Sequence, residues 1–314
     1  MRRLLLAVAA ALALSATAGA GTASALVVGI ADQKPDMFFD ERFEDLGIRH
    51  ARLNVGWDVM TSGWQKAEVD RWMFFARLAN VDPLVSFGHS RTKRRSLPSP
   101  KRFMREFERF RKRYPWVTTF ATWNEANHCG EPTCHKARLV ARYYNGLRRR
   151  CKGCIVLAAE LLDMPNMLSW VRRFGKQAKG EPRWWGLHNY VEANRFTTKR
   201  LRGLLRRVRG QVWLTEVGGL VKRRTNKKYT VKRIPESKWH ALRVTRYIFR
   251  EVVPMNRRLT RVYLYHWNSS TARDTWDSAL VDHRGKRRPA FDELKKQMRK
   301  LESRARRRAE RRRR

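Results

Sequence analysis

The sequence has 314 residues, 42% of them apolar, with 12 tryptophans and a formal net charge of +42. A chain of this length and apolar content can bury a large core. No Ser/Gly/Pro-rich linker or short repeat divides it, and nothing after the first 25 residues is apolar and long enough to cross a bilayer. The segment Asp292–Arg314 holds 12 Lys/Arg and 4 Asp/Glu, so most of the positive surplus is spread over the body. Such a surface either consists of solvated basic faces or attracts polyanions in a salt-sensitive way. No helix-turn-helix, zinc-finger or RNA-binding signature accompanies it, so specific nucleic-acid recognition is not expected.

Arg2 and Arg3 precede an apolar run from Leu4 to Leu14, and small residues end in Ala23-Ser24-Ala25. That is the pattern of a secretory signal peptide cleaved after Ala25. The expectation is an exported, extracellular protein without a transmembrane anchor, for which an anionic cell-surface polymer is a natural polyanion. A single domain is expected over 26–302, followed by a basic, disordered tail over 303–314. Four cysteines form two local groups, Cys129 with Cys134 and Cys151 with Cys154. An oxidising compartment favours disulfides, and three connectivities are open. A redox pair, or a zinc site with His128 and His135, has no supporting context.

Short apolar runs recur at Leu26–Ile30, His50–Val55, Pro83–Phe87, Thr118–Trp123, Ile155–Ala159, Trp185–Tyr190, Gln211–Thr215 and Arg261–Trp267. Most lack strict alternation, which suits strands buried on both faces of a parallel sheet. Helical spacing fills the intervals, as in Phe103, Phe107 and Phe110, or Ala241, Val244 and Ile248, with weaker stretches at Asp36–Leu46 and Pro165–Ala178. Pro165 and Pro289 suit first helical turns. Eight strands alternating with helices predict a single (β/α)8 barrel. A doubly wound sheet would carry a glycine-rich phosphate loop after its first strand, and Gly29-Ile30-Ala31-Asp32-Gln33 is not one.

In such a barrel the functional residues stand at the C-terminal strand ends. Glu125 follows the fourth strand and Glu216 ends the seventh. Two carboxylates across one mouth are what glycosidic bond cleavage needs: one protonates the leaving oxygen, the other attacks or activates water. Trp57, His89, His188, Tyr190 and Trp267 offer flat faces and hydroxyl-binding edges nearby. Asp32, Asp58 and Glu160 are isolated strand-end acids, more usually structural.

Trp123-Asn124-Glu125 and Trp213-Leu214-Thr215-Glu216, with His188-Asn189-Tyr190, resemble the clan A or "4/7" glycoside hydrolases, the cellulase and β-xylosidase type of barrel. The resemblance implies a retaining β-glycosidase with Glu125 as acid/base and Glu216 as nucleophile. Tyr190 and Arg52 would hold Glu216 in its charged form, Asn124 would contact a 2-hydroxyl, and Trp267 would floor the reactive sugar site. Ala126 stands where many members have proline. The charge of Glu216 is expected to raise the pKa of Glu125. No cofactor or metal is implied. The competing reading is a carbohydrate-binding barrel without turnover.

Overall fold

The structure, a computed structural model, describes residues 26–223 and 234–313. The expected leader, residues 1–25, and residues 224–233 lie outside the described residues. Successive parallel strands are β1 (Val27–Ala31), β2 (His50–Gly56), β3 (Asp82–Gly88) and β4 (Thr119–Ala121), then β5 (Ile155–Leu157), β6 (Glu160–Leu162), β7 (Trp184–His188) and β8 (Gln211–Val217). After the short β9 (Lys222–Arg223) comes β10 (Leu259–Tyr265), whose pairing with both β1 and β8 joins the two halves of the sheet.

β5 and β6 are two halves of the fifth barrel strand. The first half pairs with β4 and the second with β7. Between them Ala158 N–H donates to Trp184 O and Glu160 N–H to Trp123 O, both at 2.9 Å, so the ring closes as a (β/α)8 barrel. The strand positions agree with the apolar runs, whose residues are buried on both faces because helices cover the outside. A small cluster of Ala31, Leu84, Ala121, Leu157, Trp213 and Tyr263 fills the barrel interior, while the larger core lies between strands and helices.

The helices are α1 (Glu41–Asp45), α2 (Gly63–Leu78), α3 (Pro100–Arg113), α4 (Ala137–Arg150), α5 (Met167–Gly175), α6 (Tyr190–Ala193), α7 (Lys199–Arg207), α8 (Lys238–Tyr247) and α9 (Pro289–Arg313). In α3 the Ser99 hydroxyl accepts from Arg102 N–H and Pro100 takes the first position, a favourable start; Phe103, Phe107 and Phe110 then point inward. Pro165, expected in a first helical turn, instead lies just ahead of α5. The tail differs from expectation more clearly. α9 continues to Arg313 instead of giving way at Ser303. Arginine, alanine and glutamate are good helix formers, and Glu302 pairs with Arg306 one turn on. Leu301, Arg304, Ala305 and Arg308 border a groove that also contains Leu26 and Val28. The basic part of α9 therefore lies at the end of the barrel where β1 begins, opposite the C-terminal strand ends. No described helix is long and apolar enough to cross a membrane.

Candidate active site

At the C-terminal strand ends lies a cleft of about 790 Å³ bordered by Asn54, Asn124, Glu125, Tyr190, Glu216 and Tyr265. Beneath it Arg52, on β2, is fully buried. Its Nε donates to Glu160 Oε1 at 2.7 Å, its Nη2 to Glu160 Oε2 at 2.5 Å and to Asn124 Oδ1 at 2.8 Å, and its Nη1 to Glu216 Oε1. Ser86 donates a further bond to Glu160. Gly186 makes room for this carboxylate, since a Cβ there would lie 2.6 Å from Glu160 Cγ. Although burial opposes charge on Glu160, Arg52 and then His188 hold its pKa far below the ordinary range.

Glu216 reaches the cleft through an irregularity. His188 pairs with Glu216 while Leu187 pairs with Leu214, so one extra residue enters β8 at Thr215. With Trp213 inside the barrel, strict alternation would turn Thr215 inward and Glu216 outward; the bulge brings Glu216 to the interior. Tyr190 Oη then donates to Glu216 Oε2 at 3.3 Å. Tyr190 is held by the start of α6, where Asp163 accepts from the backbone N–H groups of Val191 and Glu192 at 3.1 and 2.6 Å. Burial pushes the Asp163 carboxyl up to about 7.

Glu125 sits in a turn after β4 with φ of +41°, a left-handed conformation that costs a non-glycine residue of order 1–3 kcal/mol. Neighbouring bonds hold the turn: Ala126 N–H donates to Glu160 O, and Asn127 exchanges bonds with the backbone of Leu162. The Glu125 carboxylate meets His188 Nδ1 at 3.2 Å and His128 Nδ1 at 3.5 Å. The same His188 nitrogen lies 3.7 Å from Glu216 Oε2, and its Nε2 lies 3.7 Å from Glu160 Oε2. Burial disfavours charge on His188, but Glu216, the bond to Glu125 and the nearby Glu160 carboxylate outweigh it and raise its pKa to about 10. His188 is therefore an imidazolium at neutral pH. This reverses one expectation. Burial raises the Glu125 pKa, but the hydrogen bond and charge of His188 lower it more, so the net shift is downward.

No family model and no curated protein matches the sequence. Solved structures do match in three dimensions. A fungal β-1,4-galactanase superposes with a TM-score of 0.63 at 13% identity, over 86% of this chain and 99% of that one. An endo-1,4-β-xylanase from Caldicellulosiruptor owensensis gives 0.61 at 11% identity, over 86% and 96%. An endo-β-1,3-glucanase from Amycolatopsis mediterranei, bound to laminaripentaose, gives 0.54 at 13%, over 86% and 98%. The fold is that of the TIM-barrel glycoside hydrolases.

On this barrel, the expected residues Arg52, Asn124, Glu125, His188, Tyr190 and Glu216 converge. Three others do not reach the cleft. Trp267 lies two residues beyond β10 and is buried between Phe43 and Phe291, its indole donating to Asp40 at 3.0 Å. Trp57 packs in the core with the Arg102 guanidinium 5.0 Å from its ring. His89 turns to Glu131 at 2.6 Å, whose other oxygen accepts from the Trp123 indole at 2.9 Å. Among the described residues, Tyr190, Tyr265 and Trp276 are the Tyr and Trp rings that border the cleft. Trp276 sits on β11 (Trp276–Asp277), which pairs antiparallel with β9 at the mouth. Sequence reasoning passed over Tyr265 although it ends a strand, and Trp276 carried no strand signal at all. Asp32 and Asp58, like Glu160, are engaged structurally: Asp32 accepts from Lys34 and from Trp267 N–H, Asp58 from Ser90. The cysteines pair locally, Cys129 with Cys134 and Cys151 with Cys154, which settles the open connectivities. Cys129 borders the cleft directly after the Glu125 turn.

Proposed function

We propose that the protein is a retaining O-glycosyl hydrolase that cleaves β-glycosidic bonds in an oligo- or polysaccharide. The observation that carries this reading is the meeting of Glu125 and Glu216 at one His188 nitrogen, at 3.2 and 3.7 Å. Sharing one nitrogen keeps the carboxylates close, as double displacement requires; retaining enzymes hold them about 5–5.5 Å apart. Glu216, fixed by Arg52 and Tyr190, attacks the anomeric carbon. Glu125 protonates the departing oxygen and then takes the proton of the incoming water. His188 holds a proton at hydrogen-bond distance from Glu125 and can pass it across as a bound sugar excludes water and disfavours charge on Glu125. Asn124, fixed by Arg52, faces the sugar hydroxyls.

Two disulfides suit the oxidising compartment implied by the leader-like N-terminus, so the site of action is extracellular. The basic body and the end of α9 suit retention on an anionic cell-surface polymer. The test is sugar release from a panel of β-linked polysaccharides, with the anomer of the first product followed by NMR. Release with retained configuration is expected, falling roughly 10⁴-fold or more in Glu216→Gln. An inverted product or an active Glu216→Gln would overturn the mechanism. Binding without release by the wild type would favour the non-catalytic barrel.

A further inference from the structure

Two polar atoms on residues bordering the cleft are buried without a hydrogen-bond partner among the described residues, Asn54 Oδ1 and Arg223 Nε. Buried polar atoms are almost always satisfied, so orphans on the wall of a cleft mark where a ligand's polar groups belong. Arg223 is placed by the small antiparallel sheet at the mouth. It stands in register with Trp276, and both border the cleft. The Trp276 ring lies edge-on to Tyr190, with centroids 4.9 Å apart, and Tyr190 bonds Glu216. Arg223 thus stands opposite a residue whose ring is one ring away from the group contacting the proposed nucleophile.

The charges around the cleft are uneven. Its acids are Glu125 and Glu216, which Arg52, Tyr190, His188 and His128 already engage. Among the described residues the fixed cations bordering it are Arg223 and the exposed Arg95, and neither has an acidic partner there. Glu236 lies near Arg223 but accepts from its backbone N–H. A neutral sugar would leave a guanidinium in this wall unanswered, whereas a carboxylate or sulfate fits its planar fork.

We propose that the Arg223–Trp276 wall is an acidic-sugar subsite, so that the substrate is a β-linked glycan bearing an anionic substituent. Trp276 offers its ring face to the sugar, Arg223 takes the anion, and Asn54 Oδ1 accepts from a hydroxyl. This rests on the glycosidase reading for turnover but not for binding.

The test separates the two. Binding is measured with Glu216→Gln protein at physiological salt against two pairs of probes: a β-linked uronic-acid polymer with its carboxyl-reduced form, and a sulfated β-glycan with its desulfated form. The charged member of at least one pair should bind about tenfold tighter than its neutral counterpart, the scale of one hydrogen bond to a charged group. Adding Arg223→Gln should remove that ratio and Arg223→Lys restore part of it. Arg149→Gln, on the exposed face of α4, serves as the control for general charge. Preference within the first pair alone identifies a carboxylate, and within the second alone a sulfate. A ratio near one in both pairs overturns the proposal, as does a ratio that survives Arg223→Gln or falls equally in Arg149→Gln. If Arg223-dependent binding is found but the wild type releases no sugar, the subsite stands and the hydrolase reading falls. If the wild type cleaves charged and neutral glycans equally, the reverse holds.

Discussion

Glu216 and Glu125 face each other across one cleft but are held in opposite ways. Glu216 is clamped from below by an arginine that is itself locked by a second carboxylate, and from the side by a tyrosine set on a capped helical turn. Glu125 stands in a left-handed turn between two histidines, its side chain about a quarter exposed. The difference matches the two tasks proposed for them. Attack at carbon needs an oxygen fixed in place. Proton transfer needs a group whose neighbours can accept and return a proton.

The largest effect that sharpens this contrast should come from Glu125→Ala, which is expected to lose roughly 10²–10⁴-fold in kcat on an unactivated substrate. The loss should shrink on an aryl glycoside whose leaving group needs no proton. Equal losses on both substrates would show that Glu125 is not the acid.

On the clamped side, Glu160→Gln leaves Arg52 with an uncompensated share of its charge and is expected to cost about 3–5 kcal/mol in urea unfolding. Because the folded pKa of Glu160 is depressed, its contribution is present above the ordinary glutamate range and fades as acid approaches the depressed value. A cost below about 1 kcal/mol would mean that Arg52 is held by something else.

The smallest effect concerns His188. Its folded pKa of about 10 lies above its unfolded value, so the stabilisation it contributes is complete below about 6.5 and is lost as pH rises through 10. The site proton persists over the same range. The alkaline limb of kcat/KM should therefore lie near 10 in the wild type and move down by several pH units in His188→Asn. An unmoved limb would remove His188 from the proton path.

Much of the site was legible because strand ends are readable from apolar runs, and a barrel turns strand ends into neighbours. Arg52, Asn124, Glu125, His188, Tyr190 and Glu216 were found that way. Registry was the weak point. Extending the last barrel strand to Trp267 put the wrong aromatic in the cleft, since the strand stops at Tyr265 and Trp267 turns into the helix layer. Glu160 looked isolated because its partner is 108 residues away. The inward aim of Glu216 depends on the bulge at Thr215, which no period of two predicts. Trp276 and Arg223 belong to strands of two residues, too short to leave a pattern. The downward shift of Glu125 required knowing that one imidazole touches three acids.

The last helix adds a matter of orientation. Its buried start at Phe291 and Leu294 fixes it to the barrel, and its arginine-rich end lies at the pole away from the cleft. A molecule captured by that end on a negatively charged matrix would stand with its mouth facing outward. Holding the protein in place and feeding its cleft would then be separate events at opposite poles, and tethering would not compete with substrate for the same surface.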